Sequence, residues 1–284
     1  MVVPGNLGFC AATRFQAPVL DRLEAARANG FHWISLLGSD VASEGREGLS
    51  PAELGRRVTD AGLAVSDFEA VSTWLDHHRR PEPAGDRPGR PRDAERICPL
   101  AAGVGARSVS VVEPAAEGVP VEVAAEGFAR VCDVAADHGL VAALEFLPWT
   151  GVPSLTSALE IVAAAGRPNG TVLVDTWHFF RSGSTLEQLA AAPRAAVGSV
   201  QINDAPARAE PDLLDETMHR RLVPGQGAFD LVGFLRTLDG LGYDGPVGVE
   251  VLSDELSALP VDVVARRCSE GIRSVLRAAG EAGS

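Results

Sequence analysis

Lysine is missing altogether: the 25 basic residues of this 284-residue chain are all arginine. Without an amine side chain, Schiff-base aldolases, pyridoxal phosphate enzymes and P-loop nucleotide sites are excluded. Tyrosine is nearly absent too. The single one, Tyr243, stands in a glycine-rich turn (GLGYDGP), a poor setting for a tyrosine acid or base. Cys10, Cys98, Cys132 and Cys268 form no CxxC pair, and MVVPGNLGFC carries no secretory signal, so reduced cysteines, mostly in the core of a cytoplasmic protein, are expected. No apolar run approaches the ~20 residues that cross a bilayer. Positive charge is short as well: a net charge of -13 argues against a nucleic-acid or anionic-membrane partner, because phosphate contacts need a basic face. A small molecule is the expected partner; homo-oligomerisation stays open.

What is present is ordinary globular composition, with 46% hydrophobic and 22% charged residues, and a length that suits one large domain over residues 1-284. An Ala- and Leu-rich helical stretch, a Gly stop and a short β-branched run recur along the chain. The Gly punctuation occurs in RANGFHWISLL, TDAGLAVSDF, GVGARSVSVV, ADHGLVAALEF, RPNGTVLVD, AAVGSVQIND and GYDGPVGVEV, and NLGFCAA supplies one further strand. Helices are predicted at 17-28, 51-61, 93-102, 120-137, 154-165, 185-191, 229-240 and 260-278. The 120-137 helix places Val121, Ala124, Phe128, Val131, Cys132 and Ala135 on one face. Eight strands alternating with eight helices predict an α/β fold, a (β/α)8 TIM barrel. A doubly wound sheet is the alternative, but no glycine fingerprint follows the first strand. Two segments break the rhythm, 76-93 (rich in Pro, Gly and Arg) and 205-227 (ending in Pro-Gly-x-Gly), and both are candidate lid loops beyond strand ends.

In a barrel, the informative residues are polar ones at the last position of a strand, because these face the mouth. Four consecutive strands supply one each: Glu145 after VAAL, Asp175 after TVLV, Gln201 after GSV and Glu250 after GPVGV. Singly each is as well explained as a turn former or a helix cap. Three carboxylates at one mouth repel each other unless a cation neutralises them, which points to one divalent metal. An all-oxygen set favours Mn²⁺ or Mg²⁺ over Zn²⁺, with Co²⁺ also admitted.

These motifs, with LEF at 144-146, DTWH at 175-178, VQIND at 200-204, RLVPGQG at 221-227 and GVEV at 248-251, resemble the xylose isomerase-like TIM barrels, the sugar phosphate isomerases/epimerases, near the tagatose/psicose 3-epimerase and hydroxypyruvate isomerase branches. The resemblance implies that Glu145, Asp175, Gln201 and Glu250 ligate one divalent metal and that His178 and Arg221 contact substrate. Many epimerases of the family carry His where Gln201 stands; Gln resembles the hydroxypyruvate isomerase and dehydroshikimate dehydratase branches. Gln226 replaces a more usual Glu.

The expected chemistry is that of hydroxyketones. Two adjacent substrate oxygens chelating a metal acidify the flanking C-H, and the proton leaves to give an enediolate. Glu145 and Glu250 are then base and acid on opposite sides of the substrate, and His178 donates a hydrogen bond to a substrate oxygen or packs behind one that does. Arg221 is a bidentate clamp or a solvated loop residue, with Arg220 and Arg14 as weaker anion candidates. Trp149 and Trp177, with Trp74, Phe146 and Phe179, sit just past strands and either wall the pocket or fill the core. Asp204 is a turn former or a support for the site. The leading expectation is a metal-dependent isomerase or epimerase of a sugar, keto-polyol or related hydroxyketone. The alternative is a dehydratase of a cyclic hydroxyketone such as inosose or 3-dehydroshikimate. A hydride-shift isomerase is disfavoured by the missing lysine, an endonuclease by the acidic charge and scarce histidine, and a non-catalytic binding barrel by the intact ligand set.

Overall fold

The computed structural model describes residues 6–75 and 93–281. Eight strands run parallel in sequence order and close into a barrel: β1 (Leu7–Phe9), β2 (Trp33–Leu37), β3 (Ala64–Val71), β4 (Ser108–Val112), β5 (Val141–Glu145), β6 (Gly170–Asp175), β7 (Val197–Ile202) and β8 (Val247–Val249), with β8 beside β1. Closure rules out the doubly wound sheet. The Gly punctuation has a backbone cause: Gly62 and Gly139 have φ of 78° and 70°, a left-handed conformation that stops the preceding helix and turns the chain into β3 and β5.

Each expected helix is present: α1 (Val19–Ala28), α3 (Pro51–Asp60), α4 (Ala94–Gly103), α5 (Val121–Asp137), α6 (Leu155–Ala165), α8 (Leu186–Ala190), α10 (Leu231–Gly240) and α12 (Val261–Glu281). In α5 the buried residues include Ala124, Phe128, Val131, Cys132 and Ala135, whereas Val121 in the first turn is half-buried. Phe128 meets Trp74 edge-on at 6.4 Å, so truncating this apolar stripe removes core contacts worth ~3–5 kcal/mol for a Phe→Ala change. Four helices lie outside the expected set: α2 (Gly38–Arg46), α7 (Thr176–Arg181), α9 (Leu213–His219) and α11 (Asp254–Ser257). All four lie beyond the C-terminal ends of strands. They are short, 4 to 9 residues, too brief for a helical period to declare itself. The 205-227 segment is therefore not a plain loop, since α9 lies within it. The 76-93 segment lies outside the described residues except Asp93, whose carboxylate accepts the Arg96 N–H and caps α4. All four cysteines are free and buried, and burial pushes the thiols of Cys98, Cys132 and Cys268 up to about 12. No helix among the described residues is long and apolar enough to cross a membrane.

The strand pleat alternates side chains between the helical layer and the barrel interior. Toward the N-terminal end the interior is plugged by the Trp33 indole, which occupies the space where a Cβ on Gly8 or Gly248 would lie. Above it, Asp67 of β3 accepts hydrogen bonds from Ser108 Oγ of β4 (2.5 Å) and Ser199 Oγ of β7 (3.2 Å), tying three strands across the interior. The C-terminal end is left to the strand-end carboxylates.

Candidate active site

Asp175 closes β6 and has two duties. Its Oδ1 accepts the N–H groups of Trp177 (2.8 Å) and His178 (3.1 Å), capping α7, so the helix-cap reading holds. Its Oδ2 accepts from Asn203 Nδ2 (2.7 Å) and from Arg221 Nη1 (3.1 Å). The same Nη1 lies 3.0 Å from Glu250 Oε2, one residue beyond β8, so one guanidinium nitrogen joins two strand-end carboxylates. Arg221 is 3% exposed, and the solvated-loop reading gives way to a buried, multiply bonded cation. Its Nε donates to the Thr217 carbonyl (3.1 Å) and hydroxyl (3.0 Å) at the end of α9, and its guanidinium lies 5.8 Å from the Trp177 ring.

The backbone that carries Arg221 is fixed from two sides. Its N–H donates to the Leu252 carbonyl (3.0 Å), and Leu222 pairs with Asp204 in an antiparallel bridge. Asp204 is the organiser of the following turn: Oδ2 accepts the N–H groups of Gly225 (3.0 Å) and Gly227 (2.9 Å), and Oδ1 those of Ala205 (2.9 Å) and Phe229 (3.1 Å). A Cβ at Gly227 would fall on the Asp204 carboxylate and the Ala205 carbonyl, so this position requires glycine. Gln226 is exposed on the turn.

His178, in α7, directs Nε2 toward both Arg221 Nη2 (3.3 Å) and Glu145 Oε1 at the end of β5 (3.5 Å), while its buried Nδ1 has no partner. Burial, reinforced by the Arg221 charge, holds its pKa well below the usual range, so the imidazole is neutral and its contact with Glu145 is not an ion pair. Burial and then the charges of Glu250 and Asp175 push Glu145 well above the ordinary carboxyl range, with Arg221 opposing. Glu250 is pushed up to about 7, again mainly by burial, against the pull of Arg221. Asp175 is raised by burial despite Arg221 and its hydrogen bonds. The β7 member, Gln201, is 3% exposed and its Oε1 has no partner.

The structure thus brings Glu145, Asp175, Gln201 and Glu250 to the ends of neighbouring strands, with His178 and Arg221 among them. Among the described residues, no three His, Cys, Asp or Glu side chains already surround one point as metal ligands; the Arg221 guanidinium stands between Asp175 and Glu250 and supplies positive charge there. The donor chemistry nevertheless fits a hard divalent cation: three carboxylates that burial makes costly to ionise, and an amide oxygen without a hydrogen bond.

The aromatic candidates divide. Trp149 is half-buried, 5.5 Å from the His178 ring and 6.0 Å from Trp177, and lines a cleft of about 580 Å³ with Ala116 and residues 211–214. Trp177 has no exposed surface. Its indole N–H donates to Glu216 (3.2 Å) and its ring backs His178, which corrects the expectation that it faces substrate. Trp74, Phe146 and Phe179 are core residues. Arg220 pairs with Asp215 at 2.8 Å on the surface, and Arg14 donates to the Ser257 carbonyl at 3.0 Å, so neither is placed as an anion site.

Several residues of the mouth escaped the sequence reading: Glu69, Ser35, Asn203 and Thr217. Glu69 lies inside β3, which continues three residues beyond Phe68, where its apolar run stops, so no strand end marks it in the sequence. Ser35, Asn203 and Thr217 act as hydrogen-bond supports, and no spacing marks such a role.

The xylose isomerase-like TIM barrel model matches residues 23–274. The chain is 31% identical to a 3-dehydroshikimate dehydratase of Pseudomonas aeruginosa over 260 residues, 90% of this chain and 39% of that protein. It thus spans about two fifths of the length of that relative. It is 32% identical to an inosose isomerase of Bacillus velezensis over 154 residues, 54% of each chain. Among solved structures, the IolI protein crystallised with a zinc atom superposes with a TM-score of 0.83 at 23% identity, over 95% of this chain and 97% of that one, a likeness of fold. Closed barrel, strand-end residues and matched length together establish that the chain belongs to the xylose isomerase-like TIM barrel family.

Proposed function

We propose that this barrel is a divalent-metal-dependent enzyme that removes the proton α to the carbonyl of a polyhydroxy ketone, and so isomerises or epimerises it. One observation carries the reading: Glu145, Asp175, Gln201 and Glu250 end four consecutive strands, and the Gln201 oxygen lacks any partner. These four side chains would hold the cation. When bound, a divalent ion supplies Lewis-acid polarisation of the substrate carbonyl, which acidifies the adjacent C–H.

The remaining work falls to the chain. Glu145 and Glu250, on strands that are not neighbours, address the substrate from different directions as the proton-transfer pair. One takes the proton and the other returns it, at the neighbouring carbon for isomerisation or on the opposite face for epimerisation. Neutral His178 hydrogen-bonds a substrate oxygen without adding charge. Arg221 yields its carboxylate contacts in part to substrate oxygens, anchored meanwhile by Thr217. Trp149 covers the entrance beside His178.

A second reading, dehydration of a cyclic hydroxyketone, shares the first proton transfer. It is favoured by the 31% identity to a 3-dehydroshikimate dehydratase over 90% of this chain. The test is elemental analysis after reconstitution with Mn²⁺, followed by NMR of ketoses, 3-dehydroshikimate and an inosose in D₂O. One metal per chain, and deuterium at the α carbon of at least one ketone, are expected. Metal near zero, or undiminished metal binding in Asp175→Ala, overturns the shared site. Complete retention of a label from the reacting carbon, in both directions over many turnovers, replaces proton abstraction with a hydride shift.

A further inference from the structure

Enolisation occupies two proton-handling groups, and Glu145 and Glu250 fill both places. The mouth holds a third carboxyl. Glu69 lies two residues before the end of β3, level with Leu37, the last residue of β2, and is half-buried. Around the closed barrel Glu145, Glu250 and Glu69 stand on β5, β8 and β3. They divide the ring at nearly even intervals, so a ketone held among them meets a carboxyl on each of three sides.

Glu69 is also held as a working group. Ser35 Oγ accepts the Ala11 N–H (2.7 Å), which commits the serine proton outward to Glu69 Oε1 (2.5 Å). One carboxyl oxygen is thereby anchored, and Oε2 has no partner among the described residues. Structural acids of this barrel look different: Asp67 and Asp204 each have both oxygens bonded. Burial pushes Glu69 up to about 8, with the charges of Glu250, Asp67 and Asp40 adding to it and the Ser35 hydrogen bond opposing. Cys10 and Glu145 are the other titratable groups within its field.

We infer that Glu69 is a catalytic residue that touches the hydroxyl on the carbon β to the substrate carbonyl and gives it a proton as it departs, which selects dehydration, the second reading above, over isomerisation. The inference rests on the metal-assisted proton abstraction proposed above. In the step, a carboxylate on the β5–β8 side takes the α proton, and that C–H pair becomes the new C=C bond. The β C–O bond breaks, and its electron pair takes the Glu69 proton to leave as water. Glu69 regains a proton from solvent, the base loses one, and no oxidant or reductant is involved.

The experiment uses the whole chain loaded with Mn²⁺, with 3-dehydroshikimate and an inosose as probes in D₂O. NMR follows α-deuterium and ultraviolet absorbance follows the conjugated product. In the parent both signals are expected with at least one probe. Glu69→Gln should slow elimination by ~10²–10⁴-fold while α-deuterium exchange stays within a few-fold, because only the acid is lost. Ser35→Ala should weaken elimination less, and Glu145→Gln should abolish both signals. Glu69→Asp, which keeps the acid, serves if the Gln variant fails to fold, and should eliminate more slowly than the parent while exchanging normally. Equal loss of exchange and elimination, no loss of either, or a parent that exchanges without eliminating overturns the inference and leaves the proton-abstraction reading standing. No exchange in the parent with either probe overturns both.

Discussion

Asp67 and Glu145 both point into the same barrel, yet their surroundings differ in kind. Asp67, lower in the interior, has its carboxylate bonded by Ser108 and Ser199, and its role ends with holding β3, β4 and β7 together. Glu145, at the mouth, has a neutral imidazole 3.5 Å away and like charges nearby, and no hydrogen bond to its carboxyl among the described residues. A buried polar group with all its partners made contributes to the fold, whereas one short of partners keeps hydrogen-bonding or metal-binding capacity to offer. The same divide separates Asp204, with four N–H donors, from Gln201, whose oxygen has none.

The contrast breaks if the two kinds of acid respond alike to substitution. The largest expected effect is at the mouth: Glu145→Gln and Glu250→Gln should each lower kcat by ~10²–10⁴-fold with the fold intact, since each removes a proton-transfer group and preserves volume. Near-parent kcat with metal bound would return both to structural duty. Next is Arg221→Ala, which leaves Asp175 and Glu250 buried without their cation and should cost ~3–5 kcal/mol in metal-free protein. Denaturant melts with and without Mn²⁺ would check this, and the ion should recover much of the loss. Arg221→Lys should rescue substrate turnover poorly, because an ammonium lacks the planar fork.

The converse belongs to the lower barrel. Asp67→Ala should destabilise by ~1–3 kcal/mol, by stranding the Ser199 hydroxyl and leaving Ser108 only its longer bond to the Ser66 carbonyl, with metal stoichiometry unchanged. A loss of metal instead would make Asp67 part of the site. The smallest effect is in pH. Glu250 and Glu69 are raised from an ordinary 4.5 to about 7 and about 8, so the stability they permit is full below about pH 4.5 and falls as pH rises through 7 to 8. Metal-free Tm should carry this decline, and Mn²⁺ should flatten the part that belongs to Glu250; a slope unchanged by metal would separate Glu250 from the cation.

The barrel was legible because Gly stops and β-branched runs are local, repeated signals, and so were the carboxylates at β5, β6 and β8. The short helices beyond the strands were not, because their formation depends on caps such as Asp175 and Asp212 more than on any period. Glu69 was hidden by a strand that outlasts its apolar run. Trp177 was misplaced for a different reason: position after a strand says nothing about whether a side chain turns inward, and here Glu216 draws its indole into the protein.

Asp204 has a consequence for how this surface tolerates change. By gathering the N–H groups of residues 205, 225, 227 and 229, its carboxylate fixes the turn through backbone donors, independently of the side chains at 226 and 228. Arg221, paired through Leu222 to the same aspartate, is insulated from the side chains at 226 and 228, which are exposed. Those two positions are free to drift, and a mutational library placed there would re-decorate the surface of the turn while the guanidinium stays in register.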